Sequence, residues 1–251
     1  MSQLPIVLVH AFPLSSSMYD PLRTALPSGV DILTPELPGF GGNPLSDAEP
    51  SLDVYADSVA AFLDDRGIDR AVVGGTSMGG YTTMALCRRH RDRVAGLLLI
   101  DTKATADVEA AADGRRVIAD RLVAEAGTGA LLEAVLPKLL GATTFASRPD
   151  VVAGVRAGVE SCDPAAAAWA QRAMAARPDS LPTLREMGVP ALVVVGEEDV
   201  LAPPSDALAM VDALPDALMV VVPSVGHLTP LEAPDQVAAA IADFITYRGS
   251  G

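Results

Sequence analysis

One serine lies in a sequence pattern that could make it a nucleophile. Ser77 is the centre of Gly75-Thr-Ser-Met-Gly79, a G-x-S-x-G pattern between an apolar, β-branched run and a helix-like run. A serine at the tip of a sharp strand-turn-helix has strained backbone angles, and side chains at positions 75 and 79 would collide. The turn also places Ser77 at a helix N-terminus, where free N–H groups favour developing negative charge. The pattern predicts a nucleophile beside part of an oxyanion hole.

A serine nucleophile needs a base that accepts its proton, and the chain has three histidines for this role. His227 lies in a loop between the last predicted strand and the last predicted helix, where a mobile imidazole could meet the serine. His10 ends the first predicted strand. His90 lies in a charged helix end, where capping and solvation are the simpler interpretation. We therefore predict His227 as the base.

The base in turn needs a carboxylate that orients it. Gly196-Glu-Glu-Asp199 follows a predicted strand, and Asp199 lies in the loop beyond it, between the serine and the predicted base in chain order. Asp101 is the competitor, because it ends another strand whose tip could also reach the imidazole. We interpret Glu197 and Glu198 as a solvated edge. Asp199 is the predicted acid, and Asp101 stays open as the alternative.

The tetrahedral intermediate of an acyl transfer carries an oxyanion that needs two convergent backbone donors. Met78 directly follows the serine and supplies one N–H group. The loop after the first predicted strand should supply the other, and Phe12 is best placed in that loop. Both residues also suit an apolar wall. We predict the N–H groups of Phe12 and Met78 as the oxyanion hole.

The elements that must position these residues alternate between strand and helix. Apolar runs typical of buried parallel strands lie at residues 5–10, 31–34, 71–74, 94–100, 191–196 and 218–222. Helical patterns lie at residues 18–26, 51–67, 78–89, 205–213 and 234–247, with Ser51 as an N-cap. This alternation predicts an α/β fold with a mostly parallel, doubly wound sheet, in which reactive residues collect at the carboxyl ends of the strands.

The alternation is interrupted between residues 103 and 180. This segment contains no strand-like run, and Ala, Leu, Arg, Glu and Asp recur in it at helical spacing. Glycine or proline breaks the pattern at positions 127, 141, 149, 164 and 178. We therefore expect three to five short helices at 103–180, inserted into a core of residues 1–102 and 181–251.

The composition argues against several classes of partner. The 251 residues carry a formal net charge of −14, whereas nucleic acids and anionic membranes require a basic surface. No run of about 18 apolar residues is present, and residues 1–4 lead directly into a strand, so we expect neither a membrane span nor a secretory signal. Cys87 and Cys162 fit a reducing compartment. We expect a cytoplasmic protein that uses no metal or cofactor.

Together these motifs resemble the α/β-hydrolase superfamily over essentially the whole chain. Five motifs occur in the family's order: His10-Ala-Phe-Pro for its H-G-F-P loop, Leu37-Pro-Gly-Phe-Gly for its P-G-x-G loop, Gly75-Thr-Ser-Met-Gly-Gly80 for its elbow, Gly196-Glu-Glu-Asp199, and Gly226-His227. Carried over residue by residue, the resemblance implies Ser77 as nucleophile, Asp199 as acid, His227 as base, and the N–H groups of Phe12 and Met78 as oxyanion hole.

The resemblance also implies a helical cap at residues 103–180 and a substrate pocket beneath it. Two features depart from the family pattern. Ala11 replaces the usual glycine of the oxyanion loop, which would disturb that loop if a positive φ is needed there. The family's leading antiparallel hairpin is missing, so we expect about six parallel strands rather than eight.

The activity that the resemblance implies is hydrolysis of a small carboxylic ester or lactone through an acyl-enzyme, as in small bacterial carboxylesterases and enol-lactonases. The same triad supports cofactor-free perhydrolase or haloperoxidase chemistry, in which peroxide replaces water at the acyl-enzyme. A non-catalytic protein that binds a small hydrophobic ligand is the alternative from another class, although its usual mark, loss of a triad residue, is absent. Fold alone gives neither the acyl length nor the oligomeric state.

Overall fold

The protein is described by a computed structural model that covers residues 4–249. Within this range, six parallel strands form one sheet in the order β2-β1-β3-β4-β5-β6. The strands are β1 (Ile6–Val9), β2 (Ile32–Leu33), β3 (Ala71–Thr76), β4 (Val94–Ile100), β5 (Ala191–Gly196) and β6 (Ala217–Val222). The predicted α/β class, the parallel sheet and its number of strands are confirmed.

Twelve α-helices accompany the strands in the described residues. They are α1 (Asp20–Ala25), α2 (Leu52–Asp64), α3 (Met78–Arg89), α4 (Glu109–Glu125), α5 (Gly129–Ala134), α6 (Ala142–Ser147), α7 (Pro149–Glu160), α8 (Pro164–Ala175), α9 (Leu181–Arg185), α10 (Pro204–Ala213), α11 (Thr229–Glu232) and α12 (Pro234–Gly249). Helices α2, α3, α9 and α10 form one contiguous layer, and α1 and α12 pack against each other in another. No helix in the described range is long and apolar enough to span a membrane.

Most element bounds agree with the predicted ones to within two residues, but three helices differ. Helix α2 ends at Asp64, three residues before the predicted end. The pattern at residues 18–26 divides into a 3-10 turn, Ser16–Tyr19, and the short helix α1, which has a proline in its first turn. Proline has no N–H group and is tolerated in the first turn of a helix, so a new helix begins there. Helix α11 was not predicted, because four residues are too few to show a helical period.

The segment of residues 103–180 is helical, as predicted. Helices α4 to α8 lie in it, and all of its residues belong to the described range. Helix α4 packs along α8, while α5 and α6 contact α7. Helix α4 has 17 residues and is longer than the short helices that the breaks predict. Whether residues 103–180 act as a separate cap stays a prediction.

The two ends of the helical segment are bound to each other and to the core. The Ser180 N–H donates to the Ala104 carbonyl at 2.8 Å. The Arg177 guanidinium lies 2.7 Å from the buried carboxylate of Asp107 and 4.2 Å above the ring of Tyr81 in α3. The points where the chain leaves and re-enters the core are therefore fixed beside α3.

The sheet has a switch point between β1 and β3. From β1 the chain crosses to β2 at one edge, then returns to β3 on the other side of β1 and continues to β6. The connections that follow β1 and β3 therefore run in opposite directions, and this arrangement leaves a crevice at the carboxyl ends of these two strands. The loop after β1 carries Phe12, and the turn after β3 carries Ser77.

Candidate active site

Ser77 lies on the sharp turn between β3 and α3, with φ 55° and ψ −111°. A non-glycine residue in this region is strained by about 1–3 kcal/mol and needs its surroundings to hold it. The end of β4 does so: the Ser77 N–H donates to the Ile100 carbonyl at 3.0 Å, and the Thr102 hydroxyl donates to the Ser77 carbonyl at 2.8 Å. The turn projects the serine hydroxyl at the carboxyl end of the sheet.

The glycines of the pattern permit a close backbone approach around the turn. A Cβ on Gly75 would lie 2.6 Å from the carbonyl carbon of Gly79, and a Cβ on Gly79 would collide with the Val9 carbonyl of β1. Each glycine thus avoids a collision with backbone, while the predicted collision between the two side chains themselves stays a prediction. The small residues therefore let α3 begin directly against the ends of β1 and β3.

The structure brings the three predicted triad residues together. His227 Nε2 lies 2.7 Å from Ser77 Oγ, and His227 Nδ1 lies 2.7 Å from Asp199 Oδ2. All three residues are buried, with Ser77 the most exposed at 9%. Both distances are normal for hydrogen bonds, so the imidazole bridges the serine hydroxyl and the carboxylate.

Asp199 is oriented by its own loop. Its Oδ1 atom accepts the N–H groups of Leu201 at 2.8 Å and Ala202 at 3.0 Å. Two backbone donors on one oxygen stabilise the charged carboxylate and leave Oδ2 for the imidazole. The loop after β5 therefore fixes the carboxylate and presents its Oδ2 atom to His227.

Asp101, the alternative acid, has other partners. Its Oδ1 accepts the Gly196 N–H at 3.0 Å, and its Oδ2 accepts both the N–H and the hydroxyl of Thr229 at 2.8 Å. Complete burial, together with the charge of Asp199, raises the pKa of Asp101 to about 8. Asp101 joins β4, β5 and the turn after His227, while Asp199 contacts the imidazole.

The surroundings of His227 act on its pKa in opposite directions. Burial lowers the pKa of this imidazole, but the charge and hydrogen bond of Asp199 and the charges of Asp101 and Glu232 raise it. The net shift is upward from the ordinary value of 6.5. The site therefore favours the imidazolium that forms when a histidine accepts a proton from serine.

The other two histidines lie elsewhere. His10 is fully buried; its Nδ1 lies 3.2 Å from the Ala11 carbonyl, and its Nε2 accepts the Leu37 N–H at 3.2 Å. A neutral ring with the proton on Nδ1 satisfies both contacts, and burial lowers the pKa of His10. His90 follows α3 and lies 2.7 Å from the Asp57 carboxylate at the surface. Neither histidine has Ser77 as a partner.

The predicted oxyanion donors lie on the two expected elements. Met78 is the first residue of α3, where an N–H group has no partner within the helix. Phe12 is buried in the loop after β1, with its ring edge toward Phe40 at 6.5 Å between centroids. Ala11 does not adopt a positive φ, so the alanine at this position does not strain the loop. The role of these two N–H groups stays a prediction.

Two carboxylates near the triad have contacts that the sequence did not predict. Glu232 is buried and binds backbone N–H groups on both sides of His227. Glu198, interpreted above as a solvated edge, is half-buried and accepts hydrogen bonds from Thr143 of the helical segment. The sequence contained one signal for Glu232, because this glutamate lies among leucine, proline and alanine. A glutamate that is buried among such residues needs partners for its charge.

A cavity of about 940 Å³ lies beside the loop after β1 and the turn after His227. Its walls include neither Ser77 nor His227, but it reaches the loop after β1 at Pro13 and the turn after the histidine at Leu231. The opposite wall is one face of α7, including Val151 and Val155. The cavity therefore lies between loops at the carboxyl end of the sheet and the helical segment.

No group of three or more His, Cys, Asp or Glu side chains in residues 4–249 is arranged to hold a metal ion. Both cysteines in this range are buried and unpaired, and burial raises the pKa of the Cys87 thiol to about 12.

Comparison with known proteins shows the family of the chain. Residues 6–240 match the alpha/beta hydrolase family. A pimeloyl-[acyl-carrier protein] methyl ester esterase from Aromatoleum aromaticum is 30% identical over 98% of this chain and 99% of its own. A thermophilic esterase from Thermogutta terrifontis, solved with malate bound, has a TM-score of 0.93 and 37% identity over 97% of this chain and 90% of that one. The enol-lactonase from Burkholderia xenovorans LB400 has a TM-score of 0.87 and 28% identity, covering 98% and 92%. The chain belongs to the alpha/beta hydrolase family.

Proposed function

We propose that this protein hydrolyses small carboxylic esters or lactones, with Ser77 as nucleophile, His227 as general base and Asp199 as the orienting acid. The observation that carries the proposal is the pair of 2.7 Å hydrogen bonds from Asp199 to His227 and from His227 to Ser77. Serine is a weak nucleophile without a base in hydrogen-bond reach, and the base needs a partner that fixes its tautomer. Both requirements are met in one buried site.

Acylation begins when His227 Nε2 takes the proton of Ser77 Oγ as that oxygen attacks the substrate carbonyl carbon. The new C–O bond moves one electron pair onto the carbonyl oxygen, and the N–H groups of Phe12 and Met78 stabilise this oxyanion. When the intermediate collapses, the ester C–O bond breaks and the imidazolium gives its proton to the leaving alcohol. For a lactone the alcohol stays attached to the acyl group.

Deacylation repeats these steps with water. His227 takes a proton from water as the oxygen attacks the acyl-enzyme carbonyl, and the second oxyanion forms at the same two N–H groups. Collapse releases the carboxylic acid and returns the proton to Ser77 Oγ. Throughout, Asp199 accepts the Nδ1 proton of His227 in a hydrogen bond and stabilises the imidazolium without becoming protonated.

The substrate class rests on the cavity and on the relatives. A volume of about 940 Å³ with many apolar side chains in its walls suits a small organic molecule. The relatives compared above are named as a methyl ester esterase, an esterase and an enol-lactonase. All three of these named activities split an acyl–oxygen bond, which is the reaction that a serine, a histidine and an oxyanion hole support.

We also propose that residues 103–180 form a cap over this cavity. Helix α7 of the segment contributes one wall, while the opposite wall belongs to loops of the core. Substrate specificity would then depend on the side chains of α7 as well as on the core loops.

The direct test is hydrolysis of a panel of p-nitrophenyl esters and small lactones by the wild type and by Ser77→Ala. We expect turnover by the wild type and a loss of at least about 1,000-fold in kcat for Ser77→Ala. Full activity in the variant would overturn the assignment of Ser77. A folded wild-type protein that turns over no ester and resists a fluorophosphonate probe would favour the ligand-binding alternative.

A further inference from the structure

The helical segment contacts both loops that carry the acid and base of the proposed triad. We call residues 141–143 the contact segment; they precede and begin α6. Glu232, on the turn after His227, accepts the N–H of Gly141 at 2.8 Å. Glu198, directly before Asp199, accepts the N–H of Thr143 at 2.8 Å and its hydroxyl at 2.5 Å. One carboxylate from each triad loop therefore binds the contact segment.

Glu232 also binds the backbone on both sides of the histidine. Its carboxylate accepts the Gly226 N–H at 3.0 Å and the Leu228 N–H at 3.1 Å. Only 5% of Glu232 is exposed, so these backbone donors replace the water that a buried carboxylate would otherwise need. The carboxylate that fixes the backbone of His227 is thus the same one that binds the helical segment.

Two glycines bring the contact segment against the histidine loop. A Cβ on Gly141 would lie 2.7 Å from the Gly226 nitrogen and 2.5 Å from Glu198 Oε2, while a Cβ on Gly226 would collide with the Gly141 nitrogen. Gly141 has φ −67° and ψ 155°, which any residue can adopt. Glycine is therefore needed at position 141 for close approach and not for its backbone conformation.

We propose that Glu232 and Glu198 are positioning residues that couple the placement of the helical segment to the alignment of His227 and Asp199 on Ser77. This inference rests on the proposed function and deepens it. Separation of the contact segment from the core would remove the Gly141 donor from Glu232 and both Thr143 donors from Glu198. The base and the acid would then each lose a support, so the site would reach full alignment only with the helical segment in place.

A carboxylate suits the position of Glu232 better than any uncharged residue. An ionised carboxylate only accepts hydrogen bonds, through two oxygens, whereas an amide presents one oxygen and one NH₂ group. In Glu232→Gln one of the N–H groups around the side chain would face another donor.

The charge of Glu232 also acts on the imidazole. The charged groups that face His227 are Asp199, Asp101 and Glu232, and each raises the pKa of the imidazole. Loss of the Glu232 charge therefore lowers the pKa of His227.

The test compares kcat, KM and pH profiles for hydrolysis of a p-nitrophenyl ester by the wild type, Glu232→Gln and Gly141→Ala. We expect kcat to fall about 10- to 100-fold in both variants, because a small misplacement of a catalytic group has an effect of this size. KM should stay within about threefold, since the cavity walls are unchanged. The acid limb of the kcat/KM profile should move to lower pH in Glu232→Gln, whereas Gly141→Ala should not shift it.

Two matched controls isolate the contact. Gly114→Ala adds the same methyl group to α4, where nothing lies within 4 Å, and Glu109→Gln removes the charge of an exposed glutamate at the start of α4 that pairs with Arg116. Both should retain wild-type kcat.

A double-mutant cycle of Glu198→Gln and Thr143→Val tests the contact between Glu198 and the contact segment. If the hydrogen bond between these two side chains positions Asp199, the double variant should lose no more kcat than either single variant.

The cycle at the partly exposed Glu198–Thr143 pair tests the proposal even if Glu232→Gln does not fold. Folded Glu232→Gln and Gly141→Ala proteins with wild-type kcat and an unchanged acid limb would overturn the proposal. Additive losses in the cycle would overturn the role of Glu198. A wild type without Ser77-dependent hydrolysis would instead contradict the proposed function, so the two failures are distinguishable.

Discussion

Asp199 and Asp101 are both buried beside His227, yet their surroundings give them different properties. Asp199 has two backbone donors on one oxygen and the imidazole on the other. Asp101 is fully buried, and burial together with the charge of Asp199 raises its pKa to about 8. Its hydrogen bonds go to Gly196 and Thr229 rather than to the imidazole.

Substitution of the two aspartates should therefore have unequal effects. Asp199→Asn should lower kcat by roughly 10,000-fold, because an amide donor facing Nδ1 favours the wrong imidazole tautomer. Asp101→Asn should lower kcat by only about 10- to 100-fold, since the hydrogen bonds of Asp101 go to Gly196 and Thr229 and the amide would disturb the imidazole only through that backbone. Steady-state kinetics at pH 7 with one ester measures both. A larger loss in Asp101→Asn than in Asp199→Asn would contradict the assignment.

The raised pKa of His227 predicts the pH dependence of the reaction. The base must be neutral to accept the serine proton, so kcat/KM should rise with pH through the pKa of His227 in the free enzyme. Because the charges of Asp199, Asp101 and Glu232 outweigh burial, this inflection should lie above pH 6.5. A pH profile of kcat/KM between pH 5 and 9 measures it; an inflection below 6.5 would show that burial dominates.

At the scale of elements, the turn that carries Ser77 is held in place by a buried tyrosine, Tyr19, from the 3-10 turn before α1. The Tyr19 hydroxyl donates to the Val9 carbonyl at 2.8 Å and accepts the N–H of Thr76, the residue before the serine, at 3.1 Å. It also lies 3.0 Å from the Thr76 hydroxyl. One side chain therefore joins the end of β1 to the end of β3, the two strands on either side of the switch point.

A pair of tyrosines tests this arrangement. Tyr19→Phe should lower the free energy of unfolding by about 1–3 kcal/mol, because it leaves buried polar groups without their partner. The buried Tyr55 hydroxyl has no hydrogen-bond partner in the described residues, so Tyr55→Phe should be neutral or stabilising by up to about 1 kcal/mol. Urea unfolding followed by circular dichroism compares both with the wild type. Equal effects of the two substitutions would contradict the account.

Local sequence was enough to predict the elements where one signal dominated. Helix α3 and strands β4 and β5 have the predicted bounds, since glycine, charged residues and proline bracket their apolar runs. The pattern at 18–26 was divided by a proline, and the four residues of α11 were missed. Short elements such as these owe their form to tertiary contacts, which a periodic pattern does not contain.

At the scale of the whole molecule, the sheet brings together side chains that are far apart in sequence. Ser77 and His227 are separated by 150 positions, yet the carboxyl ends of β3 and β6 place them in one buried site with Asp199 from β5. Their contact was predictable because parallel strands share an edge and the motifs mark the strand ends. The order of the motifs favoured Asp199 over Asp101, but the contact that distinguishes the two carboxylates depends on side-chain reach, which the sequence does not contain. The hydrogen bond between Glu232 and Gly141 was not predictable from the sequence either, because it joins the predicted core to the predicted helical insertion.

The central claim is that Ser77 is an activated nucleophile, and covalent labelling tests it most directly. The wild type, Ser77→Ala and His227→Ala would be treated with a fluorophosphonate probe, and the adducts would be mapped by mass spectrometry of the intact and digested protein. We predict one adduct in the wild type, on the peptide that contains Ser77, with none in Ser77→Ala and strongly slowed labelling in His227→Ala. A folded wild-type protein that is not labelled, or is labelled on another residue, would contradict the claim.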